Sequence, residues 1–207
     1  MEEYGTVLHE AEAEFTERRS RFIGRSAPVT TREKAEEWIR RVRAAHREAA
    51  HNVYAYVLRE GDKRRCSDDG EPQGTAGVPV LNVLLESDVT DTAVVVTRYF
   101  GGILLGAGGL IRAYSHGASI ALQAAEPVKM GAFFQASLSC GYSQYGRIAP
   151  LISECGGSVD RTGYGEAVSL DFHIPCEKLD RFRTALADAT CGGCSAKLET
   201  KKFYRIF

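Results

Sequence analysis

The sequence has no long apolar run and no strong excess of charge. Its 207 residues contain no stretch of about 18 consecutive apolar residues, so no transmembrane helix is expected. Residues 1–17 are acidic, whereas a secretory signal is basic and then apolar, so we expect a cytoplasmic protein with no membrane partner. The formal net charge is −1, so any binding of nucleic acid must rest on a local basic surface.

Common enzyme signatures are also missing. The chain contains neither a GxxxxGK phosphate loop nor a GxSxG nucleophile elbow. His46 and His51 lie five residues apart, which places them on different faces of a helix and rules out an HExxH zinc site. The six cysteines are irregularly spaced and predict reduced thiols rather than disulfides. We therefore assign no catalytic residue and expect no cofactor.

The hydrophobic periodicity predicts two domains. In the first part of the chain we predict strands at 6–15, 21–29, 52–59, 63–66 and 92–98. We predict a helix capped by Thr30, a short helix capped by Thr75 that runs to Leu85, and a helix at 110–124. After a short break at 127–132 the pattern restarts, with strands at 133–140, 158–162, 167–174 and 197–207 and helices at 143–154 and 177–189. This second βαββαβ order is typical of the ferredoxin-like fold. We thus expect an α+β protein with domains 1–129 and 130–207.

Two glycine-rich loops flank an apolar run in the first domain. The second loop, Arg98 to Gly109, leads into a predicted helix, whose free N–H groups and dipole suit a phosphate. Arg98 and Arg112 add positive charge. The alternative is that these glycines only permit positive φ angles and close packing.

The first loop, Ser67 to Gly77, is acidic. Asp68, Asp69 and Glu71 offer hard oxygen ligands for Mg²⁺, or a general base. The alternative is a solvated acidic turn, because Asp, Gly and Pro are ordinary turn residues. Whether the loop binds a metal stays open at this point.

These two loops, together with Ser20-Arg21-Phe22-Ile23 and His51, resemble the IMPACT/YigZ family of small proteins linked to translational regulation. The family signature falls at Gly74 to Gly106, and the resemblance covers most of residues 18–124. It implies an N-terminal α/β sandwich similar to RNase PH and to domain IV of translational GTPases, followed by a ferredoxin-like domain similar to their domain V. Eukaryotic members restrain a kinase that phosphorylates an initiation factor.

We therefore expect a non-enzymatic regulator of translation that binds RNA or a ribosome-associated factor. The candidate nucleic-acid or anion-binding residues are Arg21, His51, Arg98, Tyr99, Phe100, Gly101, Gly102, Gly106, Gly108, Gly109 and Arg112. The candidate residues of the acidic loop are Asp68, Asp69, Gly70, Glu71, Gly74 and Thr75. The alternative is a metal-dependent hydrolase or phosphotransfer enzyme, which requires the acidic loop's carboxylates to converge with the glycine loop in a concave pocket.

Overall fold

The computed structural model describes residues 3–206, apart from the side chain of Asp62. The chain divides into two compact units, one spanning Tyr4–Lys129 and the other formed by residues 130–206 with Glu3. Sheets and helices occur in both, so the α+β class is confirmed. Within the described residues, the helices are too short or too polar to cross a membrane.

The first unit is built around one antiparallel sheet. Residues 3–124 form strands β1 Glu3–Val7, β2 Ala11–Glu17, β3 Ser20–Pro28, β4 His51–Leu58, β5 Lys63–Ser67 and β6 Thr92–Tyr99. The helices are α1 Arg32–Ala45, α2 Gly77–Glu86 and α3 Ala107–Ala124. The sheet contains β2 to β6 and not β1; its strand order is β2-β3-β6-β4-β5, which places β6 at the centre.

Strand β6 is apolar from Ala93 to Val96 because both faces of the sheet are covered. Val94 and Val96 belong to a core cluster that also contains residues of α2 and α3. Ala93 and Val95 belong to a second cluster, which contains Trp38 of α1. Because successive side chains of a strand point to opposite faces, this central strand requires apolar residues at consecutive positions.

Several boundaries differ from the sequence-based predictions. The predicted strand at 6–15 is two strands, since β1 ends at Val7 and the N–H of Leu8 donates to the carbonyl of Ala125. Helix α1 is capped by Thr31 rather than Thr30, and its Oγ1 accepts from the N–H of Lys34 at 3.3 Å. Helix α3 begins at Ala107, three residues before the predicted start, so it takes up part of the second glycine loop.

The second unit has the ferredoxin-like element order. It contains β7 Pro127–Cys140, α4 Tyr142–Glu154, β8 Ser158–Tyr164, β9 Val168–Pro175, α5 Leu179–Thr190 and β10 Lys197–Ile206. The strand order β10-β7-β9-β8 is that of a split βαββαβ unit. The predicted irregular break at 127–132 is wrong, because strand β7 runs through it; the predicted strand end at Phe207 lies outside the described residues.

One face of this second sheet packs against both of its helices. Leu138 of β7 and Phe172 of β9 share a core cluster with Ile148 of α4 and Phe182 of α5. The rings of Phe172 and Phe182 lie 5.3 Å apart between centroids. Apolar residues alternate along β9, at Val168, Leu170, Phe172 and Ile174, so they lie on this one face.

Candidate functional site

The end of strand β6 holds a buried ion pair that joins the two glycine-rich loops. Nη1 of Arg98 donates to Oε1 of Glu71 at 2.6 Å. Only 5% of the Arg98 side chain and 4% of the Glu71 side chain are exposed. A guanidinium buried in this way neutralises its carboxylate inside the protein, and it does not lie on the surface as a free cation.

Oε1 of Glu71 accepts from a second donor. The hydroxyl of Tyr114 in α3 donates to it at 2.7 Å. Burial raises the pKa of Tyr114, and the hydrogen bond to Glu71 raises it further, so the phenol stays protonated and continues to donate. Helix α3, strand β6 and the acidic loop are therefore joined at one carboxylate oxygen.

His51, at the start of β4, lies at the edge of the same network. Its Nδ1 lies 2.9 Å from the carbonyl oxygen of Asp69, and its Nε2 lies 3.8 Å from Oε1 of Glu71. A carbonyl oxygen can only accept a hydrogen bond, so Nδ1 carries the proton. In the neutral ring, Nε2 is consequently a free acceptor.

A cleft of about 420 Å³ opens beside this network. His51, Glu71 and Arg98 form its polar part, and Phe100 and Leu104 contribute to its apolar walls. Residues of the second glycine loop and of the start of α3 complete the lining. The cleft thus combines apolar walls with a few convergent polar groups, the usual composition of a ligand site.

Asp68 is engaged in closing the acidic loop. Its carboxylate accepts from the backbone N–H groups of Gly74 at 2.9 Å, Ala76 at 3.1 Å and Gly77 at 2.8 Å. Burial acts to raise the pKa of Asp68, but these three donors outweigh it and the pKa is lowered. The prediction that Thr75 caps α2 is wrong: its Oγ1 donates to the carbonyl of Pro72, since Asp68 already satisfies the amides at the helix start.

Asp69 points away from Asp68 and Glu71. Its Oδ2 accepts from the N–H of Asn52 at 2.6 Å, and its Oδ1 pairs with Arg43 of α1. The backbone at Asp69 and Gly70 is left-handed, with φ of 47° and 90°, which turns the chain between the carboxylates. Each carboxylate therefore has its own protein partners, and within residues 3–206 no group of three or more His, Cys, Asp or Glu residues could hold a metal ion.

The glycines of the second loop serve different purposes. A Cβ at Gly101 would lie 2.0 Å from the carbonyl oxygen of Arg19, so this position requires close backbone packing. Gly102 and Gly106 have φ of 85° and 74°, which favours glycine. At Gly109 a Cβ would lie 2.9 Å from Cβ of Leu105. Packing and backbone geometry thus account for these four glycines.

Gly108 differs from the others. A Cβ there would meet only Nη1 of Arg112, at 3.7 Å, and its φ is not positive. It is the second residue of α3, a helix that starts after Gly106 without a side-chain cap. The first N–H groups of a helix have no partner within the helix, so those of α3 stay uncovered at its start.

Family models match both parts of the chain. The Impact N-terminal domain matches residues 18–122, and a domain of unknown function, DUF1949, matches residues 138–192. The chain belongs to the IMPACT family. Among its IMPACT relatives, YvyE of Bacillus subtilis is 37% identical over 198 residues, covering 95% of this chain and 91% of YvyE. YigZ of Escherichia coli is 38% identical over 178 residues, covering 84% of this chain and 87% of YigZ.

More distant matches agree with this membership. Protein IMPACT of Mus musculus is 37% identical over 97 residues, which cover 44% of this chain but only 30% of the mouse protein. A solved structure described as the crystal structure of a hypothetical protein is 33% identical, with a TM-score of 0.61, and the match covers 97% of this chain and 98% of that chain. The bacterial relatives thus share both domains with this chain.

Among the predicted site residues of this IMPACT chain, two surface candidates have protein partners. Arg21 donates through Nε and Nη2 to Oε2 of Glu14, at 3.0 and 2.5 Å. The hydroxyl of Tyr99 lies 2.8 Å from Nδ1 of His46. By contrast, Phe100 remains 49% exposed, and within residues 3–206 Arg112 has no hydrogen-bond or ion-pair partner.

The sequence-based list of site residues did not include the turn between β2 and β3. Arg18 and Arg19 form the tip of this hairpin, with φ of 44° and 66°, where asparagine and glycine are usual. Nη1 of Arg18 lies 3.4 Å from the carbonyl oxygen of Leu104, so the tip lies against the second glycine loop. The left-handed backbone at two consecutive arginines is what marks this turn as a candidate functional site. Only the structure shows that conformation.

Arg18 and Arg112 line a second cleft, of about 490 Å³, together with Glu17, Gly109 and His116. We call the uncovered amides of residues 107–109, with Arg18 and Arg112, the α3 surface. It keeps part of the predicted anion site but has Arg18 of the hairpin tip in place of Arg98 and Arg21.

Proposed function

We propose that this chain is a cytoplasmic regulator of translation that binds RNA or a component of the translation machinery through the α3 surface. Membership of the IMPACT family supports the link to translation. The observation that carries the binding part is that Arg18 and Arg112, which have no carboxylate partner within residues 3–206, line one cleft near the uncapped start of α3. Such a helix start favours anions, and arginine matches the geometry of phosphate.

The α3 surface contains arginines whose charge no carboxylate pairs with. Several other arginines of the first unit form ion pairs, as in Arg25 with Glu12 and Arg41 with Glu10. Within residues 3–206, Arg18 and Arg112 form no ion pair, although Glu17 lines the same cleft. The α3 surface can therefore offer a local basic site although the whole chain carries a net charge of only −1.

The exposed apolar residues next to this charge favour RNA as the ligand. Phe100 is 49% exposed, Leu104 is 80% exposed, and Ile103 lies between them in the loop. Aromatic and apolar side chains beside arginines form stacking platforms for unpaired bases. A rigid double helix offers no such bases, so we propose single-stranded RNA rather than duplex.

The hydrolase alternative receives less support. It required Asp68, Asp69 and Glu71 to converge, but their carboxylates accept from different groups in different directions. Only Glu71 lines the cleft, and its charge is balanced by Arg98. We therefore interpret the acidic loop as a structural brace for the α3 surface.

The test is RNA affinity measured as a function of salt. For the double variant Arg18→Ala, Arg112→Ala we expect weaker binding of a single-stranded oligonucleotide. The slope of log affinity against log salt should be less steep by about 0.7 for each phosphate that the variant no longer neutralises. The matched control is Arg32→Ala, because Arg32 is exposed but paired with Glu36.

Gly108→Val tests the uncovered amides separately. The added side chain would cover the backbone at a position that packing leaves open, so binding should fall while the fold is kept. If the wild-type chain shows no affinity for RNA at low salt and does not cosediment with ribosomes, the proposal is wrong. It is equally wrong if the arginine double variant and Gly108→Val both bind as the wild type does.

A further inference from the structure

We propose that the 420 Å³ cleft between His51, Glu71 and the start of α3 is a binding site for a guanine nucleotide. This inference rests on the proposed function where the nucleotide is part of an RNA, and it stands alone where the nucleotide is free. The cleft and the α3 surface are neighbours, because Ala107 at the start of α3 belongs to both.

The first argument is an unused hydrogen-bond acceptor. Oε1 of Glu71 accepts from Arg98 and Tyr114, whereas Oε2 accepts from no group within residues 3–206. Only 4% of this side chain is exposed, and what it borders is the cleft. Because Glu71 lines the cleft, Oε2 is an acceptor that a ligand can reach there, and a donor placed against it would bind a carboxylate, which strengthens the hydrogen bond.

The second argument is a neighbouring acceptor. His51 directs Nδ1 to the carbonyl of Asp69, which leaves Nε2 of the neutral ring as an acceptor in the same cleft. This Nε2 lies 3.8 Å from Oε1 of the same Glu71 carboxylate. Arg98 also lines the cleft, but its Nη1 and Nη2 donate to Glu71 and Ser20, and its Nε is buried. His51 and Glu71 therefore supply two adjacent acceptors, which suit a ligand with two adjacent N–H donors.

Among nucleobases, guanine has this pattern, because N1–H and the exocyclic amine lie side by side on its Watson–Crick edge. Adenine and cytosine place a ring acceptor next to their amine, and uracil flanks its single N–H with carbonyls. Adenine, cytosine and uracil would therefore place an acceptor against the acceptor of Glu71 or of His51, which is unfavourable. A guanidinium also has adjacent donors, but its positive charge would face Arg98.

The remaining walls suit the rest of a nucleotide. Phe100, Leu104, Leu105 and Leu110 supply apolar contacts for a planar base. Gly106 and Ala107 also line the cleft, and they lie at the uncapped start of α3, which favours an anionic phosphate. Base recognition and phosphate binding thus require no change in the fold.

The central experiment is calorimetric titration of the full chain with GMP, IMP, AMP, CMP, UMP and inorganic phosphate. We expect GMP to bind about tenfold or more tightly than AMP, CMP or UMP. IMP lacks the exocyclic amine, so its affinity should lie between that of GMP and those of AMP, CMP and UMP. Equal affinity for all five nucleotides, or binding of phosphate alone, would overturn the inference.

Glu71→Gln probes the acceptor itself. The amide oxygen can keep the hydrogen bonds from Arg98 and Tyr114, so the amide NH₂ then faces the cleft and presents a donor. We expect loss of the preference for GMP, while Glu86→Gln, at an exposed position in α2, retains it. If Glu71→Gln does not fold, Ala107→Phe is the second variant. Its side chain would fill the cleft from the rim, so GMP affinity should fall. A folded Ala107→Phe chain that binds GMP as the wild type does would contradict the proposal.

RNA oligomers of about eight nucleotides separate the two sources of guanine. If the RNA proposal and this one both hold, a G-containing oligomer should bind more tightly than a U-only oligomer. Ala50→Phe, at a position that lines the cleft outside α3, should remove only that difference. Binding of both oligomers without preference, and none of GMP, would refute the guanine site and leave the RNA proposal intact. Binding of GMP without any RNA binding would refute the RNA proposal and keep the guanine site.

Discussion

Glu71 and Arg98 stand 27 positions apart in the sequence, yet they form one buried ion pair with an O–N distance of 2.6 Å. The pair connects the acidic loop to the central strand of the first sheet. Because both groups are buried, removing one of them leaves the other charged without compensation. This contact makes the two glycine-rich loops a single structural unit.

The first prediction concerns this pair. Arg98→Met should lower the free energy of unfolding by about 3–5 kcal/mol, because the Glu71 carboxylate would then be buried without its counterion. Urea denaturation measures the change. The matched control is Arg21→Met, which breaks the half-exposed pair with Glu14 and should cost less than about 1 kcal/mol. Similar decreases in the free energy of unfolding in both variants would show that the buried Glu71–Arg98 pair contributes no more than a surface pair.

The second prediction concerns the pH dependence of Asp68. Its folded-state pKa is lowered, so ionised Asp68 stabilises the fold at pH values above the unfolded pKa of about 3.9. This stabilisation is lost as the pH falls through the lower, folded-state pKa. Asp68→Asn should therefore cost about 1–3 kcal/mol at pH 7 and progressively less towards pH 2.

The measurement for Asp68 is urea denaturation at pH 7 and at about pH 2, below the unfolded pKa, with wild type and variant side by side. Asp188→Asn, at an exposed position of α5, serves as the control and should have little effect at either pH. A loss for Asp68→Asn that is the same at pH 7 and in strong acid would contradict the assignment of the three N–H donors to an ionised carboxylate.

The third prediction separates two glycines at the start of α3. Gly106 has φ 74° and ψ 165°, a region that only glycine occupies readily, so Gly106→Ala should destabilise the fold by about 1–3 kcal/mol. Gly108 has open space and ordinary backbone, so Gly108→Ala should be neutral or stabilising by up to about 1 kcal/mol. Thermal unfolding of the two variants gives the comparison, and destabilisation of the same size in both would refute it.

Much of the fold could be predicted from the sequence because local patterns determine it. The run Ala93 to Val96 predicted a buried strand, and the order of elements after Pro127 predicted the ferredoxin-like unit. Phe100 and Gly106 of the second loop line the cleft, and their assignment as binding residues stays a prediction. These features depend on residues close together in the chain.

The rest depends on contacts between distant residues. Local capping rules favoured Thr75, whereas the carboxylate of Asp68, nine residues before Gly77, binds the amides at the start of α2. Arg98 resembled a surface cation until its pairing with Glu71 was visible. The left-handed arginines of the hairpin tip have no signature in the sequence, because turn statistics favour other residues there.

The last prediction concerns the independence of the second domain. The core of this unit is formed by residues between Phe134 and Leu198, so its apolar cluster lies within the proposed domain 130–207. Strand β7 begins at Pro127, and a fragment that starts at 133 would lack its first six residues. We expect the fragment 127–207 to unfold cooperatively and to give a dispersed amide spectrum, and the fragment 133–207 to be less stable. If 127–207 gives a collapsed spectrum while the full chain is folded, residues 130–207 are not an independent domain.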